Sequence, residues 1–216
     1  MASDLLTQFT EKAISKRELT VAIEKDTALL PIIIKGVESP KAHIRYTCAG
    51  LLVNLSEKHP EKLYDHMDFF VGLLDSNYRI LKWNGMAAIS NLCKIDVKKK
   101  FDMIFDKYYS FLNDEYMVTV ANVVANSAKI AQAKPYFVPQ ITRELLRVQE
   151  IHTTPHLTEE CTRVINEKTI ECFDKFFTIM NDKEKANAVS FVKRQLDSTR
   201  ASLRKEAQLF LKRHNS

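Results

Sequence analysis

The sequence predicts an all-α chain built as a solenoid of about five helical hairpins, and three observations carry that expectation. Four glycines and six prolines interrupt 216 residues, while Lys, Glu, Ala and Leu are plentiful, a balance that favours helix. Apolar residues recur at helical spacing. Finally, "HIRYTCAGLLVNL" at 43–55 returns as "RILKWNGMAAISNL" at 79–92, 37 residues later. A period of roughly 35–45 residues is the mark of repeated helical hairpins, because a two-helix hairpin cannot cover its own apolar face and must stack on a neighbour.

The elements follow in order. Residues 1–25 read as two short helices, divided at Ser15, where Glu18 three positions on makes a capping box. Repeats are expected at 26–60, 61–97, 98–134, 135–180 and 181–216, in one continuous domain without a linker. Four of them open on an apolar helix ("TALLPIIIKGV", "MDFFVGLL", "FDMIFDKYYSFL", "NAVSFVKRQL"). A polar turn ("ESPK", "DSN", "NDE", "DST") leads into a second helix. Ser39 before Pro40 is expected as an N-cap with proline at the first helical position. Asp75, Asp114 and Asp197 set carboxylates near the positive ends of the helices that follow.

The second helices carry the match. With Ile44 laid on Leu81, Arg45 falls on Lys82, Tyr46 on Trp83, Cys48 on Gly85, Leu52 on Ile89 and Asn54 on Asn91. "YMVTVANVVANSAKI" fits one residue further along, and "SLRKEAQLFL" lays Leu203, Arg204, Ala207 and Phe210 over Ile44, Arg45, Cys48 and Leu51. Ile44, Cys48, Leu51, Leu52 and Leu55 lie on one face at 3.6 residues per turn, so most of the repeated pattern is core. Residues 135–180 form a longer, irregular unit.

The series "IRYTCAGLL", "LKWNGMAAI" and "LRKEAQLFL" resembles the VRxxAxxAL core of HEAT repeats. The endings "LLVNLS" and "AISNLC" resemble the ALxNLA ending of armadillo repeats. The resemblance covers roughly residues 26–216 and implies a right-handed α–α superhelix. It also implies that the second helix of each hairpin lines the concave surface, where the motif asparagine of peptide-binding armadillo proteins grips an extended backbone. By motif match that role falls on Asn54 and Asn91. The chain departs from that pattern by placing Gly50 and Ala87 where the peptide binders carry tryptophan, and its third unit has no matching asparagine. The same two amides can instead bond the backbone of a neighbouring repeat.

Tyr46, Asn54, Trp83, Asn91 and Lys94 are therefore the candidate partner-binding residues. Trp83, the single tryptophan, is an anchor if exposed and core if covered. Arg45, Lys82 and Arg204 share one repeat position, which HEAT arrays commonly pair with an acid.

Charge is uneven along the chain. The formal net charge is +5, but residues 77–100 hold six Lys/Arg against one acid and residues 181–216 hold nine against four. Lys98, Lys99 and Lys100 stand near a helix end, and Arg200, Arg204 and Lys212 form a polar stripe on the last helix. That stripe reads as a solubilising cap on a terminal repeat, or as a basic patch for an acidic partner or nucleic-acid phosphates.

Other chemistry finds little support. No GxGxxG, GxxxxGK[ST] or GxSxG motif is present. His152, His156, Glu159 and Glu160 gather in "IHTTPHLTEE", the one loop with metal-ligand residue types, but without a metal-site spacing. A HEAT-like DNA glycosylase is the third alternative. Cys48, Cys93, Cys161 and Cys172 sit in helical patterns as reduced thiols, and no apolar run approaches the ~20 residues a bilayer needs. The expectation is a cytoplasmic, non-catalytic scaffold with no cofactor or metal, binding a protein or peptide on the second-helix face. A nucleic-acid-binding solenoid is the alternative, and neither a membrane nor a small molecule is an expected partner.

Overall fold

The structure, a computed structural model, describes residues 15–215. The expected first short helix lies outside them. Within the described residues the chain is helical, and its only β pairing is an isolated bridge between Thr154 and Leu157. It divides into two compact units, one ending at Val97 and one beginning at Lys98.

The first unit opens with α1 (Lys16–Lys25). Its capping box is formed as the sequence foretells: Ser15 Oγ accepts from the Glu18 amide, and the Glu18 carboxylate accepts from the Ser15 amide at 2.7 Å. Two hairpins follow. The first pairs α2 (Leu30–Gly36) with α3 (Ala42–Lys58). The second joins the short α4 (Pro60–Leu63) and α5 (Met67–Leu73) to α6 (Arg79–Leu92). The second helices α3 and α6 pack on one another, and each also packs on the first helix of its own hairpin. The residues expected to form the seam, Ile44, Cys48, Leu51, Leu52 and Leu55, are all buried, as are Leu81, Ala88, Ile89 and Leu92 one repeat later.

The second unit holds three hairpins: α7 (Lys100–Ser110) with α8 (Met117–Ala133), α9 (Val138–Leu146) with α10 (Glu159–Phe176), and α11 (Asp182–Lys193) with α12 (Ala201–Arg213). Second helices again pack on second helices, α8 on α10 and α10 on α12. Among the described residues this gives the five helical hairpins expected.

The turn chemistry differs from expectation. Ser39 is not an N-cap. Its Oγ accepts from the amide of Lys41, two residues on, and Lys41 is the N-cap of α3, without a side-chain cap bond. Ser76 does the same for Tyr78, Asp114 for Tyr116 and Ser198 for Arg200, at 3.1, 2.9 and 3.3 Å. Side chains of this kind bond two residues ahead in turns as readily as they cap helices. Here the turn won, because the N-cap of each second helix stands two residues after the bonding side chain, at Lys41, Tyr78, Tyr116 and Arg200.

The shared basic position also found another partner. Arg45 is only 7% exposed, and its Nη1 donates to the carbonyl of Ser39 at 2.8 Å. Arg204 Nη1 donates to the carbonyl of Ser198, likewise six residues back. The expected acid is replaced in both hairpins by the carbonyl of the preceding turn, so the guanidinium ties the start of the second helix to its own turn.

Candidate functional site

In the first unit α3 and α6 present the face on which the sequence places the site. A residue every third or fourth position points the same way. On α3 the row is His43, Tyr46, Gly50 and Asn54; on α6 it is Ile80, Trp83, Ala87 and Asn91. His43 and Ile80 are exposed, and Tyr46, Gly50, Trp83 and Ala87 are half-buried. Lys94, in the single turn Cys93–Ile95 that ends α6, is exposed.

The two motif asparagines part company. Asn54 is exposed, and its side chain makes no hydrogen bond among the described residues. Asn91 is 1% exposed, and its Nδ2 donates to Ser56 Oγ at 3.0 Å. Ser56 in turn donates to the carbonyl of Val53. Asn91 is therefore part of the packing between consecutive second helices and offers no amide to a partner, which corrects its place among the candidates. The two amides differ in the residue that stands 35 positions upstream, Ser56 for Asn91 and Leu19 for Asn54. Leu19 is buried and apolar and offers Asn54 no such acceptor.

A feature the sequence reading missed sits at the ridge of this face. The Arg45 guanidinium lies 3.9 Å from the ring centroid of Tyr78 and 4.9 Å from that of Tyr46, and the two rings meet edge to face at 6.5 Å. Cation–π contact of this kind holds the rings in place, and Tyr78 is still 48% exposed. Beside it a cleft of ≈350 Å³ runs between the two turns, lined by Pro40, Phe69, Gly72, Leu73 and Tyr78 among others. The signal was a tyrosine immediately before the second helix.

In the second unit the expected basic stretches are only partly open. Lys98 and Lys99 are exposed and Lys100 is half-buried, with Lys99 in the left-handed region at φ 53°. On the last helix, Arg200 Nε donates to Glu167 at 2.7 Å and the same guanidinium pairs with Glu160. Arg213 pairs with Asp174, and His214 Nε2 lies 2.8 Å from the same carboxylate. Glu160, Glu167 and Asp174 are seven residues apart, two helical turns, and so share one face of α10. With Arg204 committed to its turn carbonyl, the stripe Arg200–Arg204–Lys212 is not one open basic surface. Lys212 alone of the three is exposed. The guanidiniums went to α10 because that helix carries the acids they need.

Those pairs shift the carboxyls. Glu160 is held below its ordinary range by hydrogen bonds from Arg163 and Arg200. Burial raises Glu167 and Asp174, but Arg200 with Ser202, and Arg213 with His214, outweigh it and lower both. A second buried arrangement was not foreseen: the Lys134 ammonium, on a residue 3% exposed, donates to Asp102 at 2.8 Å and to Tyr136 Oη at 3.0 Å. It anchors the end of α8 to the start of α7.

The histidine loop disperses. His156 stacks on Tyr116 at 4.7 Å, Glu160 turns to Arg163 and Arg200, and among the described residues no three His, Cys, Asp or Glu side chains converge on one point. No helix of the described residues is long and apolar enough to cross a membrane.

No protein-family model matches the chain, and no curated protein matches it. Solved structures do. A designed armadillo repeat protein in complex with the peptide (KR)4 superposes with a TM-score of 0.59 at 15% identity, covering 97% of this chain and 91% of that one. Computationally designed armadillo repeat proteins for modular peptide recognition give a TM-score of 0.60 at 15% identity, covering 90% and 85%. A further designed armadillo repeat protein gives 0.55 at 15% identity with the same coverage. At such identity the likeness is one of fold.

Proposed function

From an armadillo-like repeat fold as premise, we propose that the protein is a non-catalytic interaction scaffold. It takes an extended segment of a partner protein along the second-helix face of its first unit. The observation that carries this reading is the exposed, unbonded amide of Asn54 one helix away from the half-buried Trp83. An amide offers both a donor and an acceptor, which is what an extended backbone needs from a groove. An aromatic one helix on supplies the apolar contact that dominates such interfaces. Tyr46 and Lys94 border the same strip, and Gly50 and Ala87 keep its floor low enough for a backbone to approach. That a designed armadillo repeat protein of similar fold is in complex with a peptide supports a peptide-binding role for such a scaffold. The four cysteines are free thiols, which suits a reducing compartment such as the cytoplasm.

Selection from a random-peptide display library, followed by anisotropy titration of the selected peptides, tests the reading. Trp83→Ala is expected to weaken binding by at least about tenfold and Asn54→Ala by a few-fold, with helical circular dichroism unchanged. A library that yields no binder, or peptides indifferent to both substitutions, would overturn it.

A further inference from the structure

Charge in the second hairpin of the first unit is segregated between its first-helix stretch and its second helix. The second helices and the turn that ends them, residues 42–58 and 79–95, carry Arg45, Lys58, Arg79, Lys82 and Lys94 against the single acid Glu57. Arg45 is buried against the Ser39 carbonyl and Lys58 pairs with Glu24 at 2.9 Å, so the excess rests on Arg79, Lys82 and Lys94. The intervening first-helix stretch, residues 60–75, carries Glu61, Asp65, Asp68 and Asp75 against Lys62. A segment lying on the second-helix face thus meets an excess of positive charge within a Debye length of ~8–10 Å. Lys94 is exposed on that face, about four turns along from Ile80.

We propose that the occupant of this face is an acidic extended segment, with an apolar side chain set against Trp83 and carboxylates directed toward Lys94 and the start of α6. The inference rests on the groove reading above and adds the sign of the partner's charge. The segment (KR)4, held by a structure of similar fold, is the wrong sign here: Glu57 is the one carboxylate the second helices offer. Like charges facing across an interface cost more than a neutral contact gains, so sign selects partners even where the apolar contact supplies most of the affinity.

Fluorescein-labelled decapeptides that share a Leu/Gln frame and carry Glu, Gln or Lys at alternate positions are titrated by anisotropy against the full chain, with (KR)4 as a further probe. The Glu series is expected to bind about tenfold more tightly than the Gln series at low salt, an advantage that closes as salt rises, and the cationic peptides are expected to bind weakest. Lys94→Glu is expected to bring the Glu and Lys series together. If the Gln or cationic peptides bind as well as the Glu series while Trp83→Ala still abolishes binding, the charge inference falls and the groove reading stands. If no series binds, or binding ignores both Trp83→Ala and Asn54→Ala, the groove reading falls and takes this one with it.

Discussion

Asn91 reaches back 35 residues to donate to Ser56 across 3.0 Å in a buried seam between two second helices. Its repeat partner Asn54, one hairpin earlier, lies at the surface. One motif position thus has two fates, and the residue 35 positions upstream differs with them: the hydroxyl of Ser56 for Asn91, the aliphatic Leu19 of the N-terminal helix for Asn54.

Ser56→Ala removes one acceptor from the buried amide of Asn91, and the loss of such a bond costs about 1–3 kcal/mol. The urea midpoint of unfolding is expected to fall accordingly with the slope unchanged. Asn54→Ala, at an exposed position, is expected to stay within about 0.5 kcal/mol of the parent. Equal effects at the two sites would contradict the assignment of one amide to the seam and the other to solvent.

The two described glycines of the second hairpin respond oppositely to a methyl group. A Cβ on Gly85 would sit 2.9 Å from the Phe70 carbonyl oxygen and 3.0 Å from Leu73 Cβ, so α5 and α6 touch through that missing side chain. Gly85→Ala is expected to destabilise by about 1–3 kcal/mol as the backbones are pushed apart. Gly72 meets nothing within 4 Å, and Gly72→Ala is expected to stabilise by about 0.4–1 kcal/mol through the unfolded chain. Thermal midpoints of the two variants check both signs.

Acid should loosen the second unit. Glu160, Glu167 and Asp174 are all lowered in the folded protein. A lowered carboxyl adds stability that is present above its unfolded pKa, about 4, and is lost as pH falls through the folded value. Glu206, raised first by burial and then by Glu171, trims that slope. The thermal midpoint is therefore expected to drop below about pH 4. Glu167→Gln should be less stable than the parent at pH 7 and nearly equal to it at pH 3. A constant difference across that range would remove the Arg200–Glu167 pair as the cause.

Thiol chemistry separates the four cysteines. Burial pushes Cys172 up to about 12 and Cys48 up to about 11, and Cys93 is buried too. Cys161 is half-buried, with its Sγ 3.3 Å from Thr158 Oγ1. Since the thiolate is the nucleophile, a disulfide reagent at pH 8 is expected to titrate Cys161 promptly in the native protein and the other three only after denaturant is added. Prompt reaction of Cys172 would mean that the α8–α10 seam opens readily.

Much of the fold was legible because burial repeats. The seam residues Ile44, Leu51 and Leu55 recur at helical spacing, and their burial needed no knowledge of any neighbour. The Ser15–Glu18 box was legible for the same reason, since all its partners lie within one turn. What escaped the sequence depended on choices between near-equal partners. Ser39 offered a cap or a turn bond, and the start of α3 decided. Arg45 and Arg204 offered a charge to an acid or to a carbonyl, and both bonded the carbonyl six residues back. Arg200 read as part of an open stripe until α10 brought Glu160 and Glu167 beside it. For the candidate face, the sequence marked Tyr46, Asn54, Trp83 and Lys94, but only the neighbouring helix could reveal that Asn91 turns inward.

The shared turn has one more consequence. Ser39, Ser76, Asp114 and Ser198 each accept from the amide two residues ahead, so four turns deliver the chain to a second helix in the same way, the helix beginning one residue later at Ala42, Arg79, Met117 and Ala201. The coupling lies inside each hairpin, between its first helix and its second, so each of the four carries its own clasp. A hairpin fastened this way can close through bonds that span two residues of chain, before any neighbour has stacked on it.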